Sequence, residues 1–456
     1  MYELENVLRP YAWGSTTAIA KLLGRPASGG PEAELWIGAH PDSPSVALSA
    51  AASAAVSGSG LAGAHGAAHA AVSGSGVSGS GGSGGQGPGG DDGHRPLDAL
   101  IADDPVHHLG NESVAEFGPR LPFLMKVLAA ERPLSLQVHP TLEQAREGFA
   151  LEEAAGVDRD AAERNYKDDN HKPEMIFSLT PFEALCGFRP AAESRAVFEL
   201  LAADFELAGL ELPPLLPLLL EDLAQPDEHA ALRAAFERLI AGGEDVSEAT
   251  AAIVAALASG APMAPHQAEL STVVDLNGQY PGDPGVLISL LLNRISLAPG
   301  EAVYLPAGNV HAYLNGLGIE VMASSDNVLR GGLTPKFVDV PELLRTIAFE
   351  AVGVPMLQAE TTLLGQEVFR PPFQEFQLQR VELAPGAEPV PLVQAGAAVL
   401  LVVSGSVLLD SPKGDLQLGR GASAFLPAAE APVNVHAVSG ATETALAFAV
   451  TTALKA

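Results

Sequence analysis

Gly300-Glu-Ala-Val-Tyr-Leu-Pro-Ala-Gly-Asn-Val-His-Ala-Tyr-Leu-Asn315 fits the pattern G-x5-P-x-G-x2-H-x3-N at every fixed position. Its consequences are local and physical. Gly300 lets the chain turn into a short apolar strand, Val303-Tyr304-Leu305. Pro306 fixes one φ and Gly308 accepts a positive one, so the strand ends in a tight corner. That corner hands His311 to the next strand, where its imidazole can face the interior of a barrel. A lone histidine in such a place is more often structural than a ligand. Its meaning depends on what converges on it.

A second cluster lies upstream, in Leu134-Ser135-Leu136-Gln137-Val138-His139-Pro140. Alternate residues of a strand share a face, so Gln137 and His139 project together. The next strong donor is Glu174, in Tyr166-Lys-Asp-Asp-Asn-His-Lys-Pro-Glu-Met175, beyond an apparently helical excursion. Gln137, His139, Glu174 and His311 offer two nitrogens and two oxygens, a set suited to zinc or a similar divalent ion. Each also has a plainer reading: Gln137 as a barrel hydrogen-bonder, Glu174 as a partner of Lys172 or Arg330. His171 is the rival ligand. On an extended or turning segment it points away from Glu174, which leaves it a supporting or acid/base role.

The stretch 300–315 resembles the second signature motif of the cupin β-barrels. At the usual first motif Gln137 stands where cupins place a histidine, and no glutamate follows at close range. A closer resemblance covers more of the chain. Tyr11-Ala-Trp-Gly14, Ala33-Glu-Leu-Trp-Ile-Gly-Ala-His-Pro41, Leu121-Pro-Phe-Leu-Met-Lys126, the Gln137 and Glu174 strings, Phe182-Glu-Ala-Leu-Cys-Gly-Phe-Arg189 and Tyr304 to Lys336 look like the type I mannose-6-phosphate isomerases (phosphomannose isomerases), in family order up to about residue 350. The tail matches less well. The resemblance implies a metal-dependent aldose–ketose isomerase working through an enediol or enediolate. Its substrates would be mannose 6-phosphate and fructose 6-phosphate. One Zn2+ per chain, or another divalent metal, would be held by Gln137, His139, Glu174 and His311. The family's catalytic arginine maps onto Arg330. A guanidinium is a poor base at neutral pH, so its work is to hold enediolate or phosphate charge. Ser135, Lys172 and Lys336 are candidates for phosphate contact. The proton shuttle stays open among Asp326, Glu320, Tyr313, Lys172 and metal-bound water.

The expected fold is mainly β with an α-helical insertion: two cupin-type jelly-roll barrels plus a helical subdomain. Residues 1–190 form the first part of the catalytic barrel, within which 49–93 is an Ala/Gly/Ser-rich insert. That insert is read as a disordered loop, and its His65 and His69 as poor ligands. Strand and loop are expected over 97–190. Apolar residues at three- and four-residue spacing predict helices from 191 to about 260, within a subdomain over 191–275. Strand resumes at Gly285, in a second catalytic part spanning 276–365. Residues 366–456 alternate apolar and polar between Gly and Pro turns. They carry a decayed copy of the opening pattern: Gly421 and Pro427 are kept, but Ala429 and Pro432 replace the second Gly and the His. This predicts a second barrel without a ligand.

The net charge of -30 argues against nucleic acid and makes the few cations in the motif strings informative. No run of about 18 apolar residues suggests a membrane span. The single cysteine, Cys186, excludes an internal disulfide framework and is read as a small buried hydrophobe. With no visible secretory signal, the expectation is a cytoplasmic monomer acting on a small sugar phosphate. Two other classes compete. An Fe(II) cupin oxygenase would favour more histidines and leave the cations idle. A non-catalytic sugar-phosphate sensor would differ only in turnover.

Overall fold

The computed structural model describes residues 1–48, 94–258 and 265–454. The insert 49–93, with His65 and His69, lies outside the described residues. The architecture mixes antiparallel sheets with helices.

The first sheet runs in the order Met356–Leu357, Ala302–Leu305, Glu174–Ser178, His311–Ala323, Phe123–Ala130, Glu34–Ile37, Val7–Arg9. Its organiser is the long strand His311–Ala323. The second half of this strand pairs with Phe123–Ala130 and Glu174–Ser178, the first half with Phe182–Phe188 and Gln137–Val138. One strand serving four neighbours has to bend. It does so at an irregularity between Tyr313 and Asn315, followed by Gly316 at φ 132.

A nine-stranded second sheet is built mostly from the C-terminal part of the chain. It also takes in Tyr2–Glu5, which lies between Ser423–Leu426 and Val46–Leu48. A smaller sheet of Val390–Pro391, Asn434–Ala437, Ser406–Ser411 and Gly414–Gly419 packs behind it. The strand Ala398–Ser404 explains itself by burial. Val399, Leu401 and Val403 pack toward the first sheet, while Ala398, Leu400 and Val402 pack toward the small one. With both faces covered, the expected apolar–polar alternation gives way to a continuous apolar run. Between the two large sheets Phe177 meets Phe448 and Phe369 at ring distances of 5.0 and 5.2 Å.

The four expected helices are present as Ala191–Ala208, Leu215–Asp222, Glu228–Ile240 and Glu244–Ala258, and Gln267–Gln279 adds a fifth. Pro214 stands just before one start, and Gly242 and Gly243 lie beyond Ile240 with positive φ. The layer packs directly behind the metal strings. Leu136, Val138, Val310 and Leu329 are sealed into it, so Gln137, His139 and His311, which alternate with them, are turned the other way.

Two local expectations need correction. Residues 97–117 are not strand and loop but three short helices, Leu97–Asp103, Pro105–Leu109 and Asn111–Phe117. Leu97, Leu100 and Ile101 have helical spacing and are buried together. Asp104 caps the second helix, accepting from His107 N–H, with Pro105 at the first position. Strand also resumes later than Gly285. Gly285–Ile288 and Ser289–Leu291 are helical turns, wholly buried, and the strand starts at Leu292. A short apolar run without polar punctuation cannot reveal its period. Among the described residues no helix is long and apolar enough to cross a membrane.

Candidate metal centre and active-site cavity

The corner Pro306–Gly308 ties two strings together. Gly308 has φ 77, its N–H donates to the His139 carbonyl at 2.9 Å, and its carbonyl accepts from Ala348 N–H at 3.0 Å. Register does the rest. Gln137 lies opposite both His311 and Arg330, and Glu174 opposite both Leu305 and Met322.

His139, Glu174 and His311 consequently meet inside the protein, each 1% exposed. His139 Nε2 lies 3.3 Å from Glu174 Oε1, and His311 Nε2 lies 3.5 Å from Glu174 Oε2. The outer ring nitrogens are committed. His139 Nδ1 donates to the Asn327 carbonyl at 2.7 Å, and His311 Nδ1 to the Asn309 carbonyl at 3.0 Å. Those bonds fix the tautomer that leaves both Nε2 lone pairs pointing inward. His139 Nε2, His311 Nε2 and Glu174 Oε2 are all buried without a hydrogen-bond partner among the described residues, and one ligand atom from each residue fits within 4.8 Å. Such a set of unpaired buried atoms is costly unless something else satisfies it. A divalent cation would satisfy all three, so the residues present fit one.

Protonation agrees. Burial, helped by the Lys172 ammonium, pushes the His139 imidazole down to about 4, so it stays neutral. Burial acts to raise the Glu174 carboxyl, but Lys172 at 3.0 Å and His139 outweigh it and hold Glu174 well below the usual range.

The cavity in front of Glu174 has a volume of about 580 Å³. Its wall includes Trp13, Trp36, Ser135, Gln137, Arg330 and Lys336. Lys126, which also lines it, is buried against Glu320 at 2.9 Å and Glu34 at 3.9 Å. Lys167, Arg330 and Lys336 line it too and have no carboxylate partner among the described residues, although acids outnumber bases 55 to 25. Burial lowers the affinity of Arg330 and Lys336 for their protons, and for Lys336 the nearby Arg330 and Lys167 charges add to it. An anion there would relieve the mutual repulsion.

Asp326, Glu320 and Tyr313 all line the same cavity. Burial raises the Asp326 and Glu320 carboxyls, and raises the Tyr313 phenol well above its usual value. The Tyr313 hydroxyl is buried without a hydrogen-bond partner among the described residues. Lys172 is engaged by Glu174. His171 turns away, as expected, its Nε2 2.5 Å from Glu375. Cys186 is buried, and its thiol is pushed up to about 12, so it carries no nucleophile.

Three functional-looking residues escaped sequence reasoning. Lys126 ends the string Leu121–Lys126, with nothing local to mark its role. Asn327, wholly buried, uses its side chain to hold Lys167 N–H and the Asp168 and Asn170 carbonyls while its own carbonyl holds His139. Asp168 fixes Ser325 and the Asp326 backbone. The available signal was the polar string Ser324-Ser325-Asp326-Asn327, rich in groups that bond to backbone.

The phosphomannose isomerase type I catalytic domain matches residues 1–72 and 86–191 of the chain. Mannose-6-phosphate isomerase from Escherichia coli (strain K12) is 38% identical over 439 residues, covering 95% of this chain and 97% of that one. Among solved structures, a mutant of phosphomannose isomerase from Salmonella typhimurium superposes with a TM-score of 0.79 at 34% identity over 100% of both chains. A zinc-bound mannose 6-phosphate isomerase superposes with a TM-score of 0.78, also at 34% identity, over 99% of each. The chain belongs to the type I phosphomannose isomerase family.

Proposed function

We propose that the chain is a zinc-dependent isomerase interconverting mannose 6-phosphate and fructose 6-phosphate. The observation that carries this reading is the inward-facing trio of unpaired donors, His139, Glu174 and His311, whose Glu174 lines a cavity that Lys167, Arg330 and Lys336 also line. Gln137, on the strand beside His311, supplies the fourth donor through its side-chain carbonyl. The ion, zinc or another divalent metal, would supply Lewis acidity and a template for the sugar oxygens.

The remaining work falls to the protein. Lys336, Ser135 and Lys167 bind the phosphate. Arg330 holds the negative charge that develops on the enediolate oxygens. Lys172 keeps Glu174 ionised and is the further contact for the anionic substrate. Of the three acid/base candidates, Asp326 is the one we assign to the shuttle. It takes the proton from C2 of the aldose as the C1 carbonyl accepts the electron pair; the O2 hydroxyl proton passes to O1, and Asp326 returns its proton to C1 as the C2 carbonyl forms. Glu320 is tied to Lys126, and the Tyr313 phenol stays protonated, which suits it to donate a hydrogen bond to a substrate oxygen.

At the level of fold, we read the strands around 120–190 and 292–357 as one cupin-type jelly roll and those of 366–454 as a degenerate second, with 191–275 inserted. The chain acts as a cytoplasmic monomer. Assay of purified protein with mannose 6-phosphate, before and after chelation and zinc restoration, tests the core of the proposal. Turnover should vanish with the chelator and return with zinc. A folded, zinc-loaded protein without turnover would point to a sugar-phosphate sensor.

A further inference from the structure

Around Asp326 the structure gathers a second group of ionisable side chains that the mechanism above does not use, one of which, Asp42, also lines the active-site cavity. His40, Asp42 and Asp326 bring one oxygen or nitrogen each within 4.8 Å of one another. His40 is 3% exposed, Asp42 32% and Asp326 21% by side chain. The grouping invites a metal, but its details oppose one. His40 Nδ1 accepts the Asp42 backbone N–H at 3.3 Å, so the ring proton sits on Nε2, which lies 3.5 Å from Asp326 Oδ2. A protonated nitrogen is a donor and not a ligand. Arg159 also bridges the two carboxylates, 3.1 Å from Asp42 Oδ1 and 3.5 Å from Asp326 Oδ2. A cation is already in place.

The location gives the group a purpose. Asp326 lines both the active-site cavity and a small outer pocket of about 180 Å³, which His40, Arg159 and Asp168 also line. Asp326 is therefore a wall between the reacting sugar and the outer surface. His40 is clamped edge-on against Trp36, itself a cavity residue, with ring centroids 5.0 Å apart at 78°. From the other side Asp168 fixes the Asp326 backbone N–H at 2.8 Å.

We propose that His40, Asp42 and Arg159 form a positioning cluster for Asp326. His40 and Arg159 hold its carboxyl in one orientation at the cavity wall, and Asp42 serves as the like-charged neighbour that makes it basic enough to accept a proton from carbon. This rests on the assignment of Asp326 to the shuttle. Two carboxylates in one site cannot both ionise easily, and their environments push them apart. Burial and Asp42 raise Asp326, while Arg159 and His40 help lower Asp42 against its own burial. The other charges facing Asp326 are Lys172, which favours its ionised form, and Asp168. His40 is kept neutral mainly by burial, against the pull of Asp326 and Asp42.

The test uses opposite signs. Asp326 must be ionised to act, so the acid limb of kcat against pH follows its pKa. kcat is the better quantity, because the phosphate ester's own proton, with a pKa of about 6, weighs on kcat/KM. Asp42→Asn removes the repulsion, so the acid limb should move to lower pH. His40→Leu removes a donor that favours the ionised form, so the limb should move to higher pH. We expect kcat at neutral pH to fall about tenfold in that variant with KM little changed, and His40→Gln, which keeps an N–H near the Nε2 position, to restore most of it. Zinc content and melting temperature are followed for all variants. A cluster that only supports the fold would lower activity without moving the limbs in opposite directions, or would leave His40→Gln as impaired as His40→Leu. Either result overturns the proposal. Asp326→Asn separates the two levels. If it keeps its turnover, the shuttle assignment fails as well. If it is inactive while the acid limbs of the Asp42 and His40 variants stay put, only the positioning cluster is lost.

Discussion

The chain makes the same turn twice and uses it differently. Gly300 and Gly421 both have positive φ, 96 and 85, and each leads through a four-residue strand, Ala302–Leu305 or Ser423–Leu426, to a proline, Pro306 or Pro427. Beyond that point they part. The first continues through the left-handed Gly308 into the strand of His311, beside His139 and Glu174. The second continues through the helical turn Ala428–Glu430 toward Val433 and Val435, which are sealed against Leu392, Val407 and Leu409. The turn and the strand are properties of the fold. The chemistry comes from what the corner delivers and from two other segments that meet it. A metal site is thus lost far more easily than the scaffold that held it.

The largest expected effect breaks the first region alone. His139→Ala or Glu174→Ala should abolish zinc retention and lower turnover by about a thousandfold or more, since the trio loses a donor. The fold should survive, because the helical layer behind the strands is untouched. Retained zinc with full activity in either variant, read by metal analysis and the coupled assay, would show that the inward-facing nitrogens are not ligands.

Next comes a pair of arginines, one from each region. Arg330 lines the cavity without a carboxylate partner among the described residues, whereas Arg420 donates to the Lys21 and Leu22 carbonyls at a helix end. Arg330→Ala should cost about a hundred- to a thousandfold in kcat, with zinc content and melting temperature intact. Arg330→Lys should recover only part, because a point charge replaces a fork. Arg420→Ala should do the opposite, losing about 1 kcal/mol of stability and no turnover. Loss of metal along with activity in Arg330→Ala would give that residue a structural role instead.

These contrasts show what was readable beforehand. His139, Glu174 and His311, which the fold brings together, stand in strings whose spacing and turn residues have a direct physical meaning, whereas the role expected of Arg330 came from the family resemblance alone. The four helices between 191 and 260 followed from periodicity with Pro and Gly punctuation. Asn327 and Lys126 were opaque because their roles exist only across the chain. Asn327 reaches back some 160 positions to Lys167 and Asp168, and the pairing of Lys126 with Glu320 depends on the register of two long strands. The helices of 97–117 were missed because each is too short for its period to stand out, and caps decided them. The strand at 398–404 was misjudged in pattern, because nothing local reveals that a third sheet covers its second face.

The smallest effect tests the corner itself. Gly308 has φ 77, and a Cβ there would lie 2.9 Å from the Ala348 Cβ, so Gly308→Ala adds both backbone strain and a clash. About 1–3 kcal/mol of stability should be lost. The His139 carbonyl is bonded to the Gly308 N–H, so the loss should come with weaker zinc binding. Ala429, at the matching position of the second copy, already sits in a right-handed turn. Ala429→Gly should therefore cost no more than about 1 kcal/mol, through chain entropy alone, and leave zinc affinity unchanged. Denaturant unfolding and zinc titration of both variants measure this asymmetry. Equal penalties would mean that the two corners are still under the same constraint, and that the second copy has lost its histidine without being released from the geometry that served it.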